Sequence, residues 1–233
     1  YQTRRQAAFV LGKIKAPQAV VPLVLALEDK HELVRQIAAW ALGEIKDLRA
    51  VAPLINAFRD KDVNVRNAAA KALGEINAQQ SVAPLLNALK DQDKFVRRAA
   101  ARATCELKDP KMAVSLLNSL KDQDGVVRRI AAEALGNIQA QQAVKPLIDA
   151  LKDQDKFVRR AAAGALGKIK IPEAMVALTD SFKDMDEHVR EVAAEALGNI
   201  KTQQATSTLM DALKSEDYMV RHAAARALGD TMD

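Results

Sequence analysis

The stretch KDQDKFVRRAAA at residues 90–101 returns unchanged at residues 152–163, 62 residues later, and a near copy, KDQDGVVRRIAA, begins midway at Lys121. The chain therefore repeats every 31 residues. Followed in both directions, that step puts Gly12, Gly43, Gly74, Gly136, Gly167, Gly198 and Gly229 in one register, with Cys105 in the remaining slot. Arg4, Arg35, Arg66, Arg97, Arg128, Arg159, Arg190 and Arg221 hold a second register without exception. A fixed period of this size is the signature of a solenoid, in which each unit buries its apolar face only by stacking on its neighbours. Length alone would suggest one or two globular domains. The repeat replaces that expectation with a single array over residues 1–233, a partial unit at 1–14 followed by seven units of 31 residues.

Within a unit, QQSVAPLLNALKD places Val82, Leu85, Leu86 and Leu89 at helical spacing, the apolar stripe of a first helix, here called A. Asp93 then offers an N-cap to KFVRRAAARATCEL, where Val96, Ala100 and Leu107 again recur on one face of a second helix, B. The chain starts and ends in a B helix, which predicts an all-α fold of about fifteen antiparallel helices. Apolar residues make up 49% of the chain and aromatics 3%, a balance suited to close helix-on-helix packing. Pro22, Pro53, Pro84 and Pro146 stand several residues into helix A, where the missing N–H is expected to bend it. Asp62, Asp93, Asp124, Asp155, Asp186 and Asp217, four residues before the register arginines, are the expected ionic partners of those arginines across adjacent units.

Units such as DKDVNVRNAAAKALGEINAQQSVAPLLNAL at residues 60–89 resemble the short HEAT-type repeats first grouped around phycobilisome lyases. The resemblance runs over essentially the whole chain. It implies a right-handed α-α superhelix with A helices on the convex side, B helices lining a concave groove, and a groove used to hold other macromolecules.

On a helical wheel for helix B, at roughly 100° per residue, the recurring Val, Ala, Leu and Ile positions cluster on one side. Positions −2, +1, +5 and +9 from the register arginine point the other way, and they vary. Position +1 reads Arg5, Gln36, Asn67, Arg98, Arg129, Arg160, Glu191, His222. Position +5 reads Phe9, Trp40, Lys71, Arg102, Glu133, Gly164, Glu195, Arg226. An aromatic pair, Phe9 and Trp40, thus gives way to a basic centre of Lys71, Arg98, Arg102, Arg129 and Arg160, then to an acidic patch at Glu191 and Glu195. Trp, Tyr and Arg dominate interface hot spots, so these seven aromatic and basic residues are the expected partner-binding set. The second arginine of VRR faces outward; the first belongs to the wall.

The formal charge of +5 and pI near 9.3 come from 35 basic and 30 acidic residues that are interspersed, so most of the charge is solvated helix surface. The single cysteine forms no internal disulfide and points to a reducing, cytoplasmic setting. No apolar run approaches the roughly 20 residues of a membrane span. Tyr1 falls inside a repeat and Asp233 just beyond the last helix, as expected of a segment from a longer chain.

The sequence contains no phosphate-cradling glycine loop and no nucleophile elbow. His31 takes the place of the N-cap Asp, and His188 and His222, near Glu187 and Glu191, read as surface residues rather than a metal site. Cys105, preceded by Thr104 where other units carry Leu, reads as a tight helix contact and a softer joint, not as a thiol nucleophile. The expectation is a non-enzyme without cofactor or metal that holds a protein or peptide, partly acidic, in its groove. Two alternatives stand beside it. The resemblance implies a bilin lyase or isomerase subunit. The basic centre suits nucleic acid, but Glu133, Glu191 and Glu195 interrupt any continuous phosphate track.

Overall fold

The computed structural model describes residues 1–77 and 79–229; Asp233, placed beyond the last helix by the sequence, lies outside them. In chain order the α-helices are α1 Gln2–Lys13, α2 Val20–Ala26, α3 Glu32–Ile45, α4 Val51–Asn56, α5 Val63–Ile76, α6 Val82–Ala88 and α7 Lys94–Leu107. They continue as α8 Ala113–Ser119, α9 Gly125–Asn137, α10 Val144–Ala150, α11 Lys156–Ile169, α12 Met175–Asp180, α13 Glu187–Ile200, α14 Gln203–Ala212 and α15 Tyr218–Gly229. Fifteen helices and no strand occur among the described residues. The odd-numbered helices are the B helices and the even-numbered the A helices.

The chain divides into two compact units, Tyr1–Ser115 and Leu116–Asp233, with the boundary inside α8. In the first, α1, α3, α5 and α7 stack in succession, and α2, α4 and α6 pack on α3, α5 and α7. In the second, α9, α11, α13 and α15 stack likewise, backed by α10, α12 and α14. Each layer buries one A-helix leucine, as at Leu23, Leu54, Leu147 and Leu178, against B-helix residues such as Leu42, Leu73, Leu135 and Leu166. A fully buried leucine contributes about 2 kcal/mol, so the recurring letters are the core.

Both ends of the B helices follow from local chemistry. The carboxylates of Asp62, Asp93, Asp124, Asp155 and Asp186 accept from the second or third backbone N–H of their helix, and His31 Nδ1 does so for α3. After the helix the chain turns through the left-handed region at Lys15, Lys46, Asn77, Lys108, Gln139, Lys170 and Lys201, with φ from 49° to 59°. Glycine is the usual occupant of that position. The register glycines are not in this turn but one helical turn earlier, where a Cβ on Gly43 would come within 2.8 Å of Ala72 Cα and one on Gly167 within 2.7 Å of Ala196 Cα. Their purpose is close approach of neighbouring B helices.

The A helices depart from a uniform bend. Six of them open with a three-residue 3₁₀ turn, such as Gln141–Ala143, before a short α segment, and Pro22, Pro53, Pro84 and Pro146 stand at the third residue of that segment. Each of these four prolines lacks the N–H that would reach back into the 3₁₀ turn, so the break lies at the start of the helix and not inside it. The segments led by Pro110 and Pro172 show the same division. Only α14, whose stretch from Thr202 contains no proline, runs as one α-helix.

The register arginines correct a second expectation. They do bond across units, but not to the N-cap carboxylates. Arg35 Nε lies 2.6 Å from Asp60, two residues before the cap Asp62, and its other arm reaches the Asp29 carbonyl at 2.8 Å. Arg66 holds Asp91, Arg128 holds Asp153 and Arg159 holds Asp184 in the same way. The preceding aspartate also accepts the backbone N–H of the cap residue, at 2.8 Å for Asp60, and its two oxygens together take the arginine fork. Arg190 is the exception: Ser215 replaces that aspartate, and the arginine pairs with the cap Asp217 at 2.8 Å.

Candidate functional site

Positions +1 and +5 of the B helices are nowhere fully buried, whereas the valines one residue before the register arginine, Val34 to Val220, are at most 1% exposed. The variable face is therefore clear of the core in both units, and each unit carries a hollow on it. That of the first unit, about 500 Å³, lies between α3 and α5 with Phe9 of α1 at its edge, lined by Gln36, Trp40, Asn67 and Lys71. That of the second, about 680 Å³, spans α9, α11 and α13 and is lined by Val126, Arg129, Phe157, Arg160 and Gly164.

In the first hollow Phe9 and Trp40 stack with centroids 5.2 Å apart, and Lys13 lies 5.6 Å from the Trp40 ring. The pair thus packs locally and still faces the hollow, with Phe9 38% exposed. Lys71 is exposed and unpaired among the described residues, between Glu44 and Glu75 on the rim. Those glutamates engage Lys15 at 3.7 Å and Lys46 at 2.9 Å. The amide oxygen of Asn67 is buried without a hydrogen-bond partner. On α7, Arg102 is exposed and Arg98 lies over the Phe95 ring at 5.4 Å; neither lines this hollow.

In the second hollow Arg129 is held by Glu133 at 2.6 Å, an i,i+4 pair on α9. Arg160 is exposed, with no ion pair or hydrogen bond among the described residues. The acidic patch expected farther along is partly neutralised, because Arg226 pairs with Glu195; His188 Nδ1 lies 3.5 Å from Glu191. The seven expected residues therefore separate: Phe9, Trp40 and Lys71 share one hollow, Arg129 and Arg160 share another. The expected binding set left out Asn67 and Gly164, although they stand at its +1 and +5 positions, and the sequence reasoning missed the glutamate rim of Glu44 and Glu75. It also missed the apolar residues displayed by A helices, Val21, Leu25 and Val176, which are 60%, 68% and 72% exposed. Only Gly164 leaves a visible sign, a glycine where other units carry large side chains.

The strongest electrostatic perturbations belong to loop carboxylates, Asp29 and Asp47, and not to the variable face. Arg4 and the His31 N–H hold the Asp29 carboxyl at about 2. At Asp60, Asp153 and Asp184 burial pushes the carboxyl up, but the partner arginine and a backbone N–H outweigh it, so all three lie below the ordinary carboxylate range. No group of three or more His, Cys, Asp or Glu among the described residues could hold a metal ion. No helix among them is long and apolar enough to cross a membrane.

A family profile described as HEAT repeats matches residues 1–63, 51–121, 113–190 and 177–233, which takes in the whole chain. The chain is a HEAT-repeat protein. Among solved structures, this HEAT array is similar to the complex of CpcE and CpcF of phycocyanin lyase from Nostoc sp. PCC7120. That likeness is 25% identical, covers 90% of this chain and 93% of the other, and has a TM-score of 0.60. The Escherichia coli protein YibA is 26% identical, with 95% and 85% covered and a TM-score of 0.74. An engineered protein is 25% identical, with 92% and 68% covered and a TM-score of 0.60. The search of curated proteins returned no match.

These likenesses correct the expectation of a non-enzyme. Chains of the same fold and repeat belong to a lyase. A HEAT array that carries no familiar catalytic motif is therefore no ground for excluding an enzyme.

Proposed function

We propose that this HEAT array binds a protein or peptide partner, partly acidic, along the variable face of its B helices, with Phe9, Trp40, Lys71, Arg98, Arg102, Arg129 and Arg160 as contact residues. The observation that carries this reading is the state of the cations on that face. Lys71, Arg102 and Arg160 are exposed and unpaired among the described residues, while the register arginines are spent on the wall. Helix surfaces generally match charge locally; cations left unpaired beside aromatic rings are suited to steer and hold a complementary surface. The interspersed glutamates speak against nucleic acid, and the lone cysteine supports a reducing, cytoplasmic setting.

The test is capture of partners by the wild-type chain against a variant with Arg98, Arg129 and Arg160 all changed to Glu, both verified as folded by circular dichroism. Loss of the wild-type partner set is the expected result. Unchanged capture would contradict the assignment.

The likeness to CpcE and CpcF, 25% identity over 90% of this chain, favours a second reading, a component of a bilin lyase. Addition of a bilin should then shift its visible absorption, and a spectrum equal to the sum of the separate components would remove this reading.

A further inference from the structure

Gly164 stands in the middle of α11, at the position filled elsewhere by Phe9, Trp40, Lys71, Arg102, Glu133, Glu195 and Arg226. Glycine weakens a helix interior relative to alanine, so its presence needs a reason. Packing supplies that reason for Gly136 and Gly167, where a Cβ would come within 2.8 Å of the facing alanine. It supplies none for Gly164. A Cβ there would meet only Val192 Cγ1, at 3.6 Å, an ordinary contact. The space above Gly164 is instead the floor of the hollow in the second unit.

The walls of that hollow have two characters. Val126, exposed Phe157, Ala161, Ala165 and Val192 make its interior apolar. Three cations line it, and two are already engaged: Arg129 by Glu133, and Lys168 by Asn137 Oδ1 at 2.7 Å. Arg160 has no such engagement among the described residues. Its planar fork of donors matches a carboxylate. From this geometry we infer that the hollow over Gly164 is a subsite for a two-residue element of a partner, a large apolar side chain seated on Gly164 with an adjacent carboxylate on Arg160.

The inference rests on the partner-binding reading and adds the chemistry of one contact. The probe is N-acetyl-Asp-Phe-amide, titrated into the full chain while the methyl resonances of Val126, Ala161, Ala165 and Val192 are followed. Saturable shifts are expected with a Kd on the order of millimolar, as befits so small a ligand. N-acetyl-Asn-Phe-amide and the Arg160→Glu variant should each bind at least about tenfold more weakly. Gly164→Leu should abolish the shifts without lowering the melting temperature, since its side chain occupies the hollow and the helix gains a better former. Arg160→Ala provides a second variant at an exposed position. Absence of saturable shifts, equal binding of the Asn peptide, or undiminished binding by Gly164→Leu would overturn the subsite. If Gly164→Leu loses the dipeptide yet captures the same partners as wild type, partner binding stands and the subsite is not its means.

Discussion

At the scale of single residues, glycines that look alike in the sequence have opposite energetics. Gly167 faces Ala196 across two B helices at a separation that leaves no room for a methyl group. Gly167→Ala should cost about 1–3 kcal/mol by overpacking, whereas Gly164→Ala, whose Cβ makes only an ordinary contact with Val192 at 3.6 Å, should stabilise by about 1 kcal/mol. Urea unfolding of the two variants checks both signs at once. A third position bears on the same question. Lys170 holds φ at 58°, a conformation strained for a side-chain-bearing residue. Lys170→Gly should relieve that strain and raise stability by up to about 1 kcal/mol, read in the same experiment.

At the scale of elements, the arginine–aspartate rungs of α3, α5, α9 and α11 tie a B helix to a loop of the next layer. The Arg128 and Asp153 side chains are 9% and 13% exposed. Removing one partner strands the other, so Arg128→Ala should cost about 3 kcal/mol in chemical unfolding. The rungs also contribute to the response to acid. Asp29, held at about 2, and Asp60, Asp153 and Asp184, held below the ordinary range, all have lower pKa values folded than unfolded. Such groups stabilise the folded state above the unfolded value, near about 4, and that contribution is lost as the pH falls through the folded value. The urea midpoint should therefore hold steady down to about pH 5 and decline below about pH 4. Asp153→Asn should flatten part of that decline. A midpoint independent of pH in this range would mean that the rungs add nothing to stability.

At the scale of the molecule, stability in a repeat array is approximately a sum over neighbouring layers. Lesions should then act locally. A Cβ on Gly198 would fall 2.6 Å from Ala227 Cβ, at the contact between α13 and α15. Gly198→Val should accelerate amide exchange in α14 and α15 while α9 and α11 keep their protection. Uniform loss of protection through the second unit would show that it unfolds as one block. The same locality bears on the proposed function, because each unit has its own hollow and its own unpaired cations, so the contacts proposed for a partner can be altered in one without repacking the other.

How much of this was legible in the letters differs between wall and surface. The 31-residue beat, the helix pairs, the capping aspartates and the variable face follow from spacing alone. Helical geometry converts a repeat in sequence directly into a repeat in space. Which of two aspartates two residues apart meets an arginine 25 residues away could not be read in this way. Only folding shows which carboxylate presents both oxygens to the arginine fork. The hollows are likewise products of stacking. Gly164, Arg129 and Arg160 line one hollow because three B helices come together there, and contacts between side chains far apart in the chain leave no period to read. The sequence by itself determined an all-helical HEAT array and the face that faces outward; tertiary structure decided which residues on that face share a cavity and which cations remain unpaired.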